Sequence, residues 1–279
     1  MTGTVRTVLA AAALAAAAPV ATAPALAQER SEARDFTWDG RIPSGRWLYV
    51  RNLNGSIRVE RATGDRAEVV GVKRWRRGDP QTVRIEVQRP SGENGDVIIC
   101  AFWTERASCD EDGYRTRGRD DDDDGWRRRD NDVSVEFTVR LPEGVNLGVS
   151  TVNGSLRVNG ATAEVRAGTV NGRVEAVSTG GPVRASTVNG DVDVRMRNLG
   201  EGDLTYSTVN GSITVEVPDD LNADLEMRTV NGSLTADFPI TLEGRVNPRN
   251  IRARIGNGGR RIRFTTVNGS VELKKVGNR

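Results

Sequence analysis

Histidine is absent from this 279-residue chain. Its absence makes Ser-His-Asp and Cys-His catalytic arrangements impossible and excludes most metal-hydrolase sites. Cysteine is nearly absent too. Cys100 and Cys109 are the only two, too few for a structural zinc site with no histidine to complete it. Lysine is scarce, so arginine supplies nearly all of the 40 basic residues. Neither sign of charge dominates, with 40 basic against 38 acidic residues. Phosphate-driven binding needs a clear basic excess or patch, so nucleic acid is not the expected partner. Beyond the N-terminal segment no apolar run is long enough to span a bilayer.

That segment reads as an export signal. Arg6 precedes Thr7-Val8-Leu9 and an alanine-rich run to Ala18, followed by the small-x-small site Ala25-Leu26-Ala27. The run is short for a membrane span and carries the flanks of a signal peptide. Residues 1–27 are therefore expected to be removed, leaving an exported chain that is periplasmic, cell-surface or secreted. No cysteine follows the cut, so a lipid anchor is not indicated. In an oxidising compartment, Cys100 and Cys109 most simply form one local disulfide, the alternative being two buried free thiols.

What is abundant is repetition. Thr-Val-Asn-Gly begins at Thr151, Thr169, Thr187, Thr208, Thr229 and Thr266, in steps of 18, 18, 21, 21 and 37 residues. An earlier relative is Asn52-Leu53-Asn54-Gly55-Ser56-Ile57. The 37-residue step is close to two ordinary ones, which predicts a repeat that lost its motif between Asn247 and Gly259, with Asn257-Gly258 its remnant. Apolar residues alternate around each motif, as in Leu204, Tyr206, Thr208 and then Ile213, Val215, Val217. A period of two means strands. Charged residues such as Arg166, Arg173, Glu175, Asp191 and Asp193 occupy the other phase, so one face is apolar and the other solvated.

Asn-Gly between alternating runs is a strong hairpin signal, yet the same inward phase arises if it is a corner between two opposed sheets. The chain is therefore all-β, either a β-solenoid of stacked repeats or a closed antiparallel meander or sandwich. Near-identity of successive units favours the solenoid, in which Asn153, Asn171, Asn189, Asn210 and Asn231 would stack about 4.8 Å apart. Less regular strands before the repeats suggest an N-terminal β region, 28–145, interrupted by a charged insertion at 110–132. It is expected to be continuous with the repeat region, 146–279.

The frame Trp47-Leu48-Tyr49-Val50-x-x-Leu53-Asn54-Gly55-Ser56-Ile57-x-Val59, then Val139-x-Leu141-Pro142-x-Gly144-Val145-x-Leu147, then serial Thr-Val-Asn-Gly units, resembles the bacterial family known as putative adhesins. These are exported β-strand-repeat proteins. The resemblance runs from about Phe36 to the C-terminus. It implies a β-solenoid-like fold and a cell-surface or envelope role, and it carries over no binding residue. The charged insertion between Cys109 and Val133 departs from the family pattern.

Candidate sites are few. Asp120, Asp122, Asp124 and Gly125 make Asp-x-Asp-x-Asp-Gly, which can wrap a calcium ion, although Asn131 stands where a bidentate glutamate belongs and Arg127 to Arg129 oppose a cation. The bland reading is a self-neutralising charged loop. Calcium is the only cofactor indicated. The acids Glu175, Asp191, Asp193 and Glu216 fall on the solvated phase rather than in a recognisable catalytic pair. The motif residues Asn153-Gly154, Asn171-Gly172, Asn189-Gly190, Asn210-Gly211, Asn231-Gly232 and Asn268-Gly269 each have a structural reason to be present: glycine for the turn, asparagine for stacking or a left-handed backbone. The chain thus reads as a non-catalytic binding scaffold, adhesin-like or envelope-associated, engaging a surface glycan or protein. The alternatives are a carbohydrate-active enzyme on a β-helix and a structural envelope-stress component with no ligand.

Overall fold

A computed structural model describes residues 31–116, 131–244 and 247–277. The expected signal peptide lies outside them. Among the described residues there is no α-helix, and so none long and apolar enough to cross a membrane. The N-terminal part holds β1 (Ser31–Arg41), β2 (Trp47–Arg51), β3 (Ile57–Arg61), β4 (Arg66–Trp75), β5 (Arg84–Gln88) and β6 (Val97–Phe102). A short hairpin, β7 (Ala107–Cys109) and β8 (Tyr114–Thr116), precedes β9 (Ser134–Leu141). The middle holds β10 (Asn146–Ser150), β11 (Leu156–Ala161), β12 (Val165–Gly168), β13 (Val174–Ser178), β14 (Val183–Ser186), β15 (Val192–Met196), β16 (Leu204–Ser207) and β17 (Ile213–Val217). The C-terminal part holds β18 (Ala223–Arg228), β19 (Leu234–Ala236), β20 (Ile240–Leu242), β21 (Asn250–Ile255), β22 (Arg260–Thr265) and β23 (Val271–Lys275).

These strands form two facing sheets. The first has the order β1-β4-β9-β3-β11-β13-β15-β17-β23-β19, and the second β20-β21-β18-β22-β16-β14-β12-β10-β2-β6-β5. Each coil runs along the second sheet, turns at Thr-Val-Asn-Gly and returns along the first, so every motif-bearing strand pairs in parallel with the same strand of the next coil. This is the two-sided β-solenoid. The hairpin meander is set aside, because Asn-Gly joins strands of different sheets rather than neighbours in one sheet. Register follows from alternation: Val165, Val183 and Leu204 stack inward on one sheet, and Val174, Val192 and Ile213 on the other, all buried. One continuous core joins both sheets. The 21-residue spacing from Thr187 to Thr208 arises at the opposite corner, where residues 197–203 replace the shorter link 179–182.

Two sequence expectations need correction. No repeat has been lost between Asn247 and Gly259. That stretch contains β21, which runs antiparallel to β18 on one side and to β20, the edge strand of the second sheet, on the other. The chain then turns back, and its last coil, β22 and β23, inserts between the coil of β16 and β17 and that of β18 and β19. The 37-residue step is this excursion and return. Spatial order therefore departs from sequence order, and Asn268 lies between Asn210 and Asn231. The N-terminal end is built the same way: the coil of β2 and β3 lies between β6 and β9 on one side and β10 and β11 on the other. Strand pairing thus crosses residue 145 in both sheets.

Candidate functional site

The repeated corner divides its labour residue by residue. The threonines are buried, and each hydroxyl donates to a glycine carbonyl of the adjacent coil: Thr169 Oγ1 to Gly154 O at 2.9 Å, Thr187 to Gly172 at 2.9 Å and Thr208 to Gly190 at 2.9 Å. In the first coil Asn52 takes this place, its Nδ2 donating to Val135 O at 2.8 Å. The asparagine amides form a ladder in which Asn171 Nδ2 donates to Asn153 Oδ1, Asn189 to Asn171 and Asn210 to Asn189, each at 2.8 Å. The ladder continues from Asn268 to Asn210 and from Asn231 to Asn268 at the same distance. No non-glycine residue has a positive φ among the described residues, so asparagine serves by stacking alone.

Glycine is required for the close approach of coils. A Cβ on Gly172 would lie 2.1 Å from Gly154 O, and one on Gly211 1.9 Å from Gly190 O.

Valine, the remaining motif residue, turns its side chain partly to solvent. Val170, Val188, Val209, Val267 and Val230 stand 36–49% exposed in one column at this corner. Sequence alternation does not show this exposure, because it does not reveal where a strand stops and a corner begins.

Beside the corner, the outer face of the second sheet carries a column of small residues: Ser150, Gly168, Ser186, Ser207 and Thr265 in register on adjacent strands. Arg166 and Arg184 flank it, both bonded to Glu164. At its N-terminal end Arg51 is buried, its Nη1 donating to Ser150 Oγ at 3.2 Å and its guanidinium lying 4.9 Å from the Tyr49 ring centre. Burial pulls the Arg51 pKa down, against the opposing influence of Tyr49 and the charges of Asp110 and Asp112. The β7-β8 hairpin covers this end over Tyr49, Ile98 and Phe102, and the Cys100–Cys109 disulfide joins it to β6.

The outer face of the first sheet brings together the acids expected there. Glu175 accepts from Arg157 at 3.0 Å, Asp191 from Arg173 at 2.7 Å and Glu216 from Arg195 at 2.6 Å. Asp193 is held above the ordinary aspartate range, mainly by burial; Arg173 opposes this, and Asp191, Glu175 and Glu216 add to it. Asp120, Asp122 and Asp124 fall outside the described residues. Among the described residues no group of three or more His, Cys, Asp or Glu could hold a metal ion.

The Toastrack DUF4097 family model matches residues 42–274, which takes in every coil of the solenoid. The chain belongs to this family. The resemblance to the putative adhesin family, read from about Phe36 onward, and the Toastrack match agree. No curated protein matches the chain. Two solved structures do, both at 12% identity and over 89% of this chain. One, described as a putative cell adhesion protein from Clostridium sporogenes, is covered over 100% of its length with a TM-score of 0.44. The other, a putative adhesin from Bacteroides fragilis, is covered over 99% with a TM-score of 0.27. Likeness at these scores bears on neither fold nor function. What the Toastrack chain offers from its own geometry is a repetitive surface on which Glu175, Asp191 and Glu216 are paired to arginines.

Proposed function

We propose that this Toastrack protein is an exported, non-catalytic scaffold of the cell envelope that holds a surface glycan or protein through many equal, weak contacts. The valine column carries this reading. The side chains of Thr and Asn and the bare backbone of Gly hold the corner, and the valine side chain adds a partly exposed apolar surface at the same place in successive coils. Contiguous exposed apolar surface marks interaction sites, and regular spacing turns weak contacts into avidity.

Replacing Val170, Val188 and Val209 together by Ser tests it. The three are exposed, so the fold should persist while retention on intact cell envelopes falls severalfold. Unchanged retention would remove the reading in favour of a ligand-free structural component. Fractionation of the producing cells tests export, and recovery in the cytoplasm would refute it. One observation favours a carbohydrate-cleaving alternative, the raised pKa of Asp193 beside Glu175 and Glu216. Hydrolysis of a polysaccharide that is abolished in Asp193→Asn would establish it.

A further inference from the structure

We infer that the C-terminal end of the second sheet's outer face is a binding site for a carboxylate-bearing polysaccharide. The inference rests on the scaffold reading and names the chemistry of its ligand. Three strands lie side by side there, with β18 between β21 and β22. Asp224 is flanked across the strands by Arg254 and Arg261, and Glu226 by Arg252 and Arg263. With Arg228 and Glu243, these residues line one shallow depression that holds five arginines and three acids.

The acids are shared rather than matched. Glu226 accepts from Arg263 Nε at 2.8 Å, is bonded by Arg228 and lies 3.8 Å from Arg252. Arg254 reaches both Asp224, at 3.2 Å, and Glu243, at 2.7 Å. Two positive charges are left over in one depression. The side chains of Arg228, Arg252, Arg254 and Arg263 remain 46–63% exposed. A guanidinium has five N–H donors, so each keeps donors facing solvent.

Folding does not account for this excess. Exposed ion pairs contribute little stability. The regular coils place at most one arginine each in the corresponding row, Gly148, Arg166, Arg184 and Thr205, and the five gather only where the chain leaves its repeat. The face also suits a polysaccharide better than other polyanions. The depression adjoins the hydroxyl column of Thr265, Ser207 and Ser186, which can bond sugar hydroxyls, and no aromatic lines it for base stacking. Guanidinium forks match planar carboxylates bidentately.

Titration of the full chain with polygalacturonate tests the site. Binding is expected at about 50 mM salt and should weaken steeply toward about 200 mM. R252S/R263S should lose about tenfold or more in affinity, and R252K/R263K, which keeps the charge but not the guanidinium fork, should recover only part of that loss. E243Q, which removes a competing carboxylate, should bind more tightly; this gain guards against a double variant that merely fails to fold. No binding at the lower salt, equal affinity of R252S/R263S in its folded form, no gain in E243Q, or tighter binding of dextran sulfate or duplex DNA than of polygalacturonate would each overturn the inference. If polygalacturonate fails while the valine variant still loses envelope retention, the ligand assignment falls and the scaffold reading stands.

Discussion

The two ends of the solenoid solve the same problem with different chemistry. A stack of parallel coils leaves open strand edges, which invite association. At each end the chain overshoots, lays down antiparallel strands and tucks a coil inside its neighbour: β2 and β3 at one end, β22 and β23 at the other. At each end an aspartate clamps the returning chain. Asp132 accepts from the N–H groups of Gly78, Arg77 and Arg76, and Asp224 from the N–H of Gly259 and from Arg254. The N-terminal end is then sealed, with a disulfide-linked hairpin over its outer face. The C-terminal end has no covalent tie and leaves its arginines open. Closure of the stack and covering of its face are thus separate devices.

The comparison breaks most severely if an interleaved coil is removed. Truncation before Arg260 deletes the coil that joins β16 and β17 to β18 and β19. Residues 223–255 should then lose amide protection as a unit by hydrogen exchange while the N-terminal coils keep theirs. Deleting one regular repeat, Thr169 to Ser186, should instead leave a folded solenoid one coil shorter. Collapse of that deletion variant would show that the middle coils are not interchangeable.

Next in size is the glycine column. Gly211→Ala places a methyl 1.9 Å from a backbone carbonyl and should destabilise by about 3 kcal/mol in a denaturant titration. Gly45→Ala meets nothing within 4 Å and has only its φ of 81° against it, for about 1 kcal/mol.

Replacing Cys100 and Cys109 by Ser should cost about 2 kcal/mol. The loss should appear as faster exchange in β7 and β8 alone, with no change in β18, β21 or β22.

The smallest effect concerns acidity. The Asp132 carboxyl is held below the ordinary range, chiefly by the Gly78 N–H, and that of Asp224 chiefly by the Gly259 N–H and then Arg254. Because both pKa values are depressed on folding, the clamps stabilise fully above the ordinary aspartate value, about 3.9, and release as pH falls through the lower folded values. Asp132→Asn and Asp224→Asn should each flatten the acid limb of the stability curve. A slope unchanged in both would show that the clamps add nothing.

Local chemistry wrote much of this molecule in advance. Alternation around Thr208 and Thr229 showed which side chains face inward, since a strand's side chains must alternate. The Asn-Gly spacing marked the corners. The arginine-dense stretch from Arg249 to Arg263, alternating with Ile251, Ala253, Ile262 and Phe264, held the signal for the charged depression, but only strand order shows that Arg252, Arg263 and Glu226 meet.

The amino-acid pattern alone determined an all-β chain of repeated units, with inward phase and turn positions set by period-two alternation and by Asn-Gly, and it left stacked coils and a closed meander both open. The tertiary structure decided what contacts across many residues decide: that Asn268 sits between Asn210 and Asn231, that both ends interleave, and that valine is exposed at the corner. Coil order depends on which strand edges remain unpaired when each segment arrives, and no local pattern records that.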